Sequence, residues 1–203
     1  MTAVESILVR CADLGVPLEP SGARKVAAYA EMLSSRGVGL GVISAGDAAR
    51  ALERHVLDSL RAAAAAEPGD ELAYDLGSGG GLPGIPVAVA LPRLEIRLVE
   101  VRRLRAAWLE LVIEQLGLHN ASVGHGRIED LTEPADLCFA RALGSVERSM
   151  ASARPLLRAG GRLVYFAGRG FDPADHPEIL DELRILDDPD LESSGPLVII
   201  GRQ

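Results

Sequence analysis

Asp75-Leu76-Gly77-Ser78-Gly79-Gly80-Gly81-Leu82-Pro83-Gly84 decides the fold of this chain. An apolar run, Leu72-Ala73-Tyr74, leads into an acidic residue. Glycines follow at every second position, then a helix-compatible segment. Without a Cβ, glycine lets the backbone turn sharply and approach a ligand closely. The following helix aims its free N–H groups back at the loop. The stretch therefore reads as a strand, a nucleotide-type binding loop and a helix.

Downstream, strand and helix patterns alternate. Strands are expected at Leu72–Leu76, Glu95–Val101, Ser122–Gly124, Asp136–Ala140 and Arg162–Phe166, and helices at Ile85–Leu91, Arg103–Leu116 and Val146–Leu157. Such alternation predicts parallel strands with crossover helices, a doubly wound α/β sheet. Two late strands, Glu182–Leu186 and Leu197–Gly201, flank a turn-rich stretch from Asp187 to Pro196 and predict an antiparallel hairpin at the sheet edge. Residues 1–70 read as helical: Ser6–Leu14, a second helix capped by Ser21 with Val26, Tyr29, Ala30 and Leu33 on its apolar face, a loop from Ser35 to Gly46, and a third helix from Ala48 to Ala66. The expected division is an N-terminal helical extension, 1–70, on an α/β domain, 71–203, in one compact unit.

Composition narrows the classes. The chain has 203 residues, 48% of them hydrophobic but only 3% aromatic, so its core must be aliphatic. No apolar run reaches the roughly 18–20 residues of a membrane span. The first residues lack the basic-then-apolar pattern of a secretion signal. Cys11 and Cys138 stand far apart without metal spacing and read as buried thiols, in keeping with a cytoplasmic location. The formal charge is −8, which excludes a uniformly basic nucleic-acid coat but leaves room for a local basic patch. Lys25 is the only lysine; the other cations are arginine.

Two frames compete for the glycine loop. Gly79-x-Gly81-x-x-Gly84 fits the dinucleotide pattern, which is weak alone. Asp75-x-Gly77-x-Gly79-x-Gly81 fits the acidic-led loop of class I S-adenosylmethionine methyltransferases. A carboxylate suits an amino-acid ammonium or bound water better than a diphosphate. Glu100, at the end of the second strand, is placed to accept from a ribose diol, a feature both cofactor classes share. Ile128 and Glu129, after the third strand, are placed to pack on adenine and read its amino edge.

Other segments sharpen the choice. Arg54-His55-Val56-Leu57-Asp58-Ser59, the run from Asp75 through Ile85-Pro86, Glu100, Gly126-Arg127-Ile128-Glu129 and Ala140-Arg141-Ala142 together resemble the small-subunit (16S) ribosomal RNA methyltransferase G family, formerly the glucose-inhibited division protein B family. The resemblance runs from about residue 5 to the end. It implies a class I methyltransferase fold and a cytoplasmic enzyme, expected to be a monomer, that uses S-adenosylmethionine to methylate guanine N-7 in 16S rRNA or the small ribosomal subunit. On the family pattern, Asp75, Gly77, Gly79, Leu82, Glu100, Ile128, Glu129 and Arg141 would hold the donor. Arg54, His55 and Arg141 would face the acceptor RNA.

The chemistry agrees. Guanine N-7 carries a free lone pair, so no base must remove a proton. Phe139-Ala140-Arg141-Ala142-Leu143 lacks the Pro-Pro-aromatic motif used on exocyclic amines, and neither cysteine follows a proline. No catalytic base and no metal ligand are assigned. The chain also departs from the family: Gly39-Leu40-Gly41-Val42-Ile43 replaces the usual Asn-Leu-Thr, and Leu104 and Ala167 stand where lysines are usual. These departures keep open an alternative with another acceptor or no rRNA activity. A nicotinamide-dependent oxidoreductase, resting on the dinucleotide frame, is a third reading.

Overall fold

The computed structural model describes residues 2–16, 18–177, 179, 183–186 and 194–202. Its centre is a seven-stranded sheet: β1 (Leu72–Leu76), β2 (Glu95–Glu100), β3 (Ala121–His125), β4 (Ala135–Ala140), β5 (Leu157–Phe166), β6 (Leu183–Leu186) and β7 (Leu197–Gly201). The spatial order is β3-β2-β1-β4-β5-β7-β6. The first five strands are parallel, and β7 runs antiparallel to both β5 and β6. The expected doubly wound sheet with an antiparallel edge hairpin is present. Of that hairpin, residue 182 and residues 187–193 lie outside the described residues.

Alternation along the strands builds two apolar layers. Ala73, Ile96, Leu98, Leu137, Phe139 and Val164 face one way, against helices α1 (Ala3–Asp13), α2 (Pro20–Met32), α4 (Gly84–Ala90), α5 (Arg103–Leu116) and segment 48–65. Leu72, Tyr74, Leu76, Cys138, Leu163 and Val198 face the other way, against α6 (Val146–Ala153). Truncating a fully buried side chain such as Phe139 to Ala would cost about 3–5 kcal/mol. Cys11 and Cys138 are buried free thiols, as expected. Among the described residues, no helix is long and apolar enough to cross a membrane.

Three local expectations need correction. Ser21 does not cap α2: Pro20 occupies the first turn and Glu19 stands at the cap position, so Ser21 is already helical. The loop expected from Ser35 begins later, because a π-helical turn, Leu33–Gly37, extends α2. Gly37 packs on Ile43, and a Cβ there would lie 2.9 Å from that side chain, so tertiary contact overrides the glycine signal. Helix α6 stops at Ala153 rather than Leu157, and β5 begins at Leu157.

The third N-terminal helix spans 48–65 but changes its winding. A 3-10 turn, Ala48–Arg50, precedes a π-helix, Leu52–Leu57; one α turn, α3 (Asp58–Leu60), leads into a second 3-10 helix, Arg61–Ala65. Such π turns are uncommon and often occur at functional sites. Here the π turn carries Arg54 and His55.

Candidate functional site

The glycine loop leaves β1 at its C-terminal end, where ligands of open α/β sheets bind. Two aromatic donors hold it from below. Tyr29 Oη donates to the Gly80 carbonyl at 2.9 Å, and Trp108 Nε1 donates to the same carbonyl at 3.0 Å. Asp75 is buried and accepts from the Gly84 N–H at 3.1 Å. A Cβ on Gly84 would lie 2.7 Å from that carboxylate, so only glycine permits the approach. Burial pushes the Asp75 carboxyl up to about 7. Asp75 therefore braces the loop from beneath.

Glu100 braces it from the side. One carboxylate oxygen accepts from the Gly79 N–H at 3.0 Å, the other from the Arg102 N–H at 2.8 Å. Each oxygen keeps a second lone pair for a further donor. Gly77, at φ +72°, is exposed at the top of the loop. A cavity of about 300 Å³ opens there, lined by Gly77, Glu100, Arg127, Ile128, Glu129 and Leu143 among others. Four of the residues expected at the donor thus share one cavity. Leu82 does not line it; its side chain packs on the core. Gly79 contributes its N–H to Glu100.

Arg141 stands in a second cavity, of about 320 Å³, with Arg54, His55, Phe166 and Arg169. Leu143, two residues on, lines the first cavity. The Arg141 guanidinium donates to Ser59 Oγ at 2.7 Å and to the His55 carbonyl at 3.2 Å, and pairs with Asp58 at 3.2 Å. Asp58 also binds Arg61 at 2.5 Å, and both of those side chains are buried. The Arg-His-x-x-Asp-Ser element is therefore a socket for Arg141.

A guanidinium can only donate, so His55 Nδ1, 3.2 Å from Arg141 Nη2, must accept. The neutral ring then carries its proton on Nε2, which lies 3.6 Å from Asp47 Oδ2 and makes no hydrogen bond among the described residues. Burial, and next the Arg141 charge, hold the imidazole below its ordinary pKa. Asp47 forms a 2.6 Å ion pair with Arg54.

A model of the family described as rRNA small subunit methyltransferase G matches residues 23–179. That span contains both cavities' principal residues.

The chain belongs to the rRNA small subunit methyltransferase G family.

Curated relatives of that description agree. One from Kineococcus radiotolerans is 36% identical over 179 residues, covering 86% of this chain and 70% of its own length. Another, from Acidiphilium cryptum, is 40% identical over 148 residues, covering 71% and 68%. The chain spans about two thirds of the length of such relatives. Among solved structures, a methyltransferase from Geobacter sulfurreducens superposes with a TM-score of 0.59 at 15% identity, covering 88% of each chain. At that identity the likeness concerns the fold, which is that of class I methyltransferases.

Within this methyltransferase G fold, several working residues carried no signal in the sequence. Tyr29 read as part of an apolar helix face and Trp108 only as part of the helix Arg103–Leu116, yet a buried phenol and a buried indole each need a polar partner. Asp47 falls between the expected loop, Ser35–Gly46, and the expected helix from Ala48, and is assigned no role. Phe166 read as the end of a core strand, but it lines the second cavity and lies under Arg141.

Proposed function

We propose that this methyltransferase G family member transfers a methyl group from S-adenosylmethionine to N-7 of a guanine in 16S rRNA, by direct displacement and without a general base. The observation that carries the reading is the family match over residues 23–179, which takes in the glycine loop and the Arg141 socket together.

The residues of the first cavity fit the donor. An exposed glycine at positive φ lets the chain pass close to the ligand. Glu100 offers free lone pairs to ribose hydroxyls, and Ile128 offers an apolar face to adenine. Glu129 stands beside it for the amino edge. When bound, S-adenosylmethionine supplies a methyl group activated on a sulfonium. The chain's part is to hold donor and acceptor in line.

The second cavity suits the acceptor. Arg54, Arg141 and Arg169 can bond guanine or phosphate oxygens. Arg61 is already committed to Asp58 and to the Gly195 carbonyl. Around the two cavities the exposed charges include Arg102, Arg103, Arg127 and Arg169, with Glu129 and Asp130. These arginines offer RNA a local basic patch within a chain of formal charge −8.

The test is incorporation of labelled methyl into small-subunit rRNA, on free RNA and on assembled subunits. A parallel titration with S-adenosylhomocysteine and NAD separates the donor class. Binding of the former alone supports the reading, and binding of NAD alone overturns it. The protein is expected to act in the cytoplasm as a monomer.

A further inference from the structure

Phe166 ends β5, half-buried, where the sheet meets the second cavity. The Arg141 guanidinium carbon lies 5.3 Å from its ring centroid. That face of the ring is therefore already a seat for a flat cation. Arg141 does not depend on it alone, since Asp58 and Ser59 also hold the guanidinium.

The methyl transfer to guanine N-7 makes a flat cation of another kind. The N-7 lone pair forms the new N–CH₃ bond as the S–CH₃ bond breaks. The sulfonium becomes a neutral thioether, and its positive charge passes to the purine ring. No proton moves in this step. An aromatic face beneath that purine would attract the transition state more strongly than the neutral ground state, which is the condition for accelerating the step.

We propose that Phe166 is the stacking face for the acceptor base and that its ring stabilises the charge the purine gains on methylation. The base takes the ring face that Arg141 covers in this structure, so the guanidinium must shift off that face to the edge of the base while it keeps its partners Asp58 and Ser59. The inference rests on the guanine N-7 reading and adds to it a residue outside the family motifs.

The test is the single-turnover methylation rate on small subunits carrying unmodified 16S rRNA, at saturating donor. Phe166→Leu should slow it about 3- to 30-fold, the range of a cation–π contact. Phe166→Tyr should stay within about threefold of the parent, and the affinity for S-adenosylhomocysteine should not change in either variant. Phenylalanines of increasing fluorination at position 166 keep the ring's shape while draining its negative face, so the rate should fall stepwise with each fluorine. A rate indifferent to fluorination, or Phe166→Leu at the parental rate, overturns the proposal. If the parent protein itself methylates no guanine N-7, the functional reading falls, and this inference with it.

Discussion

Arg141 Nη1 donates to Ser59 Oγ at 2.7 Å across 82 positions of sequence. This bond joins the end of β4 to the N-terminal helical segment, where the two cavities adjoin. Through it the Arg-His-x-x-Asp-Ser element acquires a physical meaning. Ser59 Oγ donates to the His55 carbonyl at 2.6 Å, and Asp58 pairs with both Arg141 and Arg61.

Removing Asp58 would strand two guanidinium groups. Arg61 is buried and Arg141 largely so. Breaking a buried pair by deleting one partner costs about 3–5 kcal/mol. Asp58→Ala should lose stability on that scale in urea denaturation. A change below about 1 kcal/mol would show that the socket is not held by charge.

Gly77→Val should abolish donor binding. The position has φ +72°, and a Cβ there would lie 3.1 Å from Leu143 Cδ1. A β-branched residue would strain the loop and fill the mouth of the first cavity. Calorimetric titration with S-adenosylhomocysteine should detect no heat of binding; near-parental affinity would refute the placement of the donor.

Glu100→Ala should weaken donor affinity by about 1–3 kcal/mol, the worth of one or two hydrogen bonds. Part of the loss would come through the loop, because the Gly79 and Arg102 N–H groups lose their acceptor. An unchanged dissociation constant would show that Glu100 neither touches the ribose nor shapes the loop.

Asp75 should impose a pH dependence on stability. Its folded pKa of about 7 lies above the unfolded value of about 3.9. The folded state thus binds more protons between these values, and this group's contribution falls as pH rises from about 4 to 7. Above pH 7 the ionised carboxylate exacts its full cost of burial, a few kcal/mol, accumulated at about 1.4 kcal/mol per pH unit between the two values. Asp75→Asn should therefore gain on the parent as pH rises from 5 to 8. Parallel stability curves for the two proteins would contradict this.

Much of this was legible in the sequence because the signals were local. β1 and β7 match their expected bounds because each is a short, mostly apolar run, and α5 matches because its amphipathic pattern stops at Gly117. The glycine loop and Glu100 could be found because their spacing along the chain is short. What was not legible depends on tertiary contact. Nothing local to Asp75 says that its carboxylate is spent on Gly84 beneath the loop. Nothing local to Gly37 says that Ile43 will press against it and extend a helical turn. The separation of Arg141 from the cavity of Gly77 and Ile128 required the socket from residues 54–59, far away in sequence. Phe166 carried no signal at all until Arg141 stood above it.

Methyl transfer to guanine N-7 in small-subunit rRNA is tested most directly by incubating the purified protein with labelled S-adenosylmethionine and small subunits or free 16S rRNA lacking the modification. Borohydride reduction and aniline cleavage then locate N-7-methylated guanines. The expected result is label at one guanine, with chain cleavage there. Donor binding without label in either RNA form, or label that resists cleavage, would contradict it.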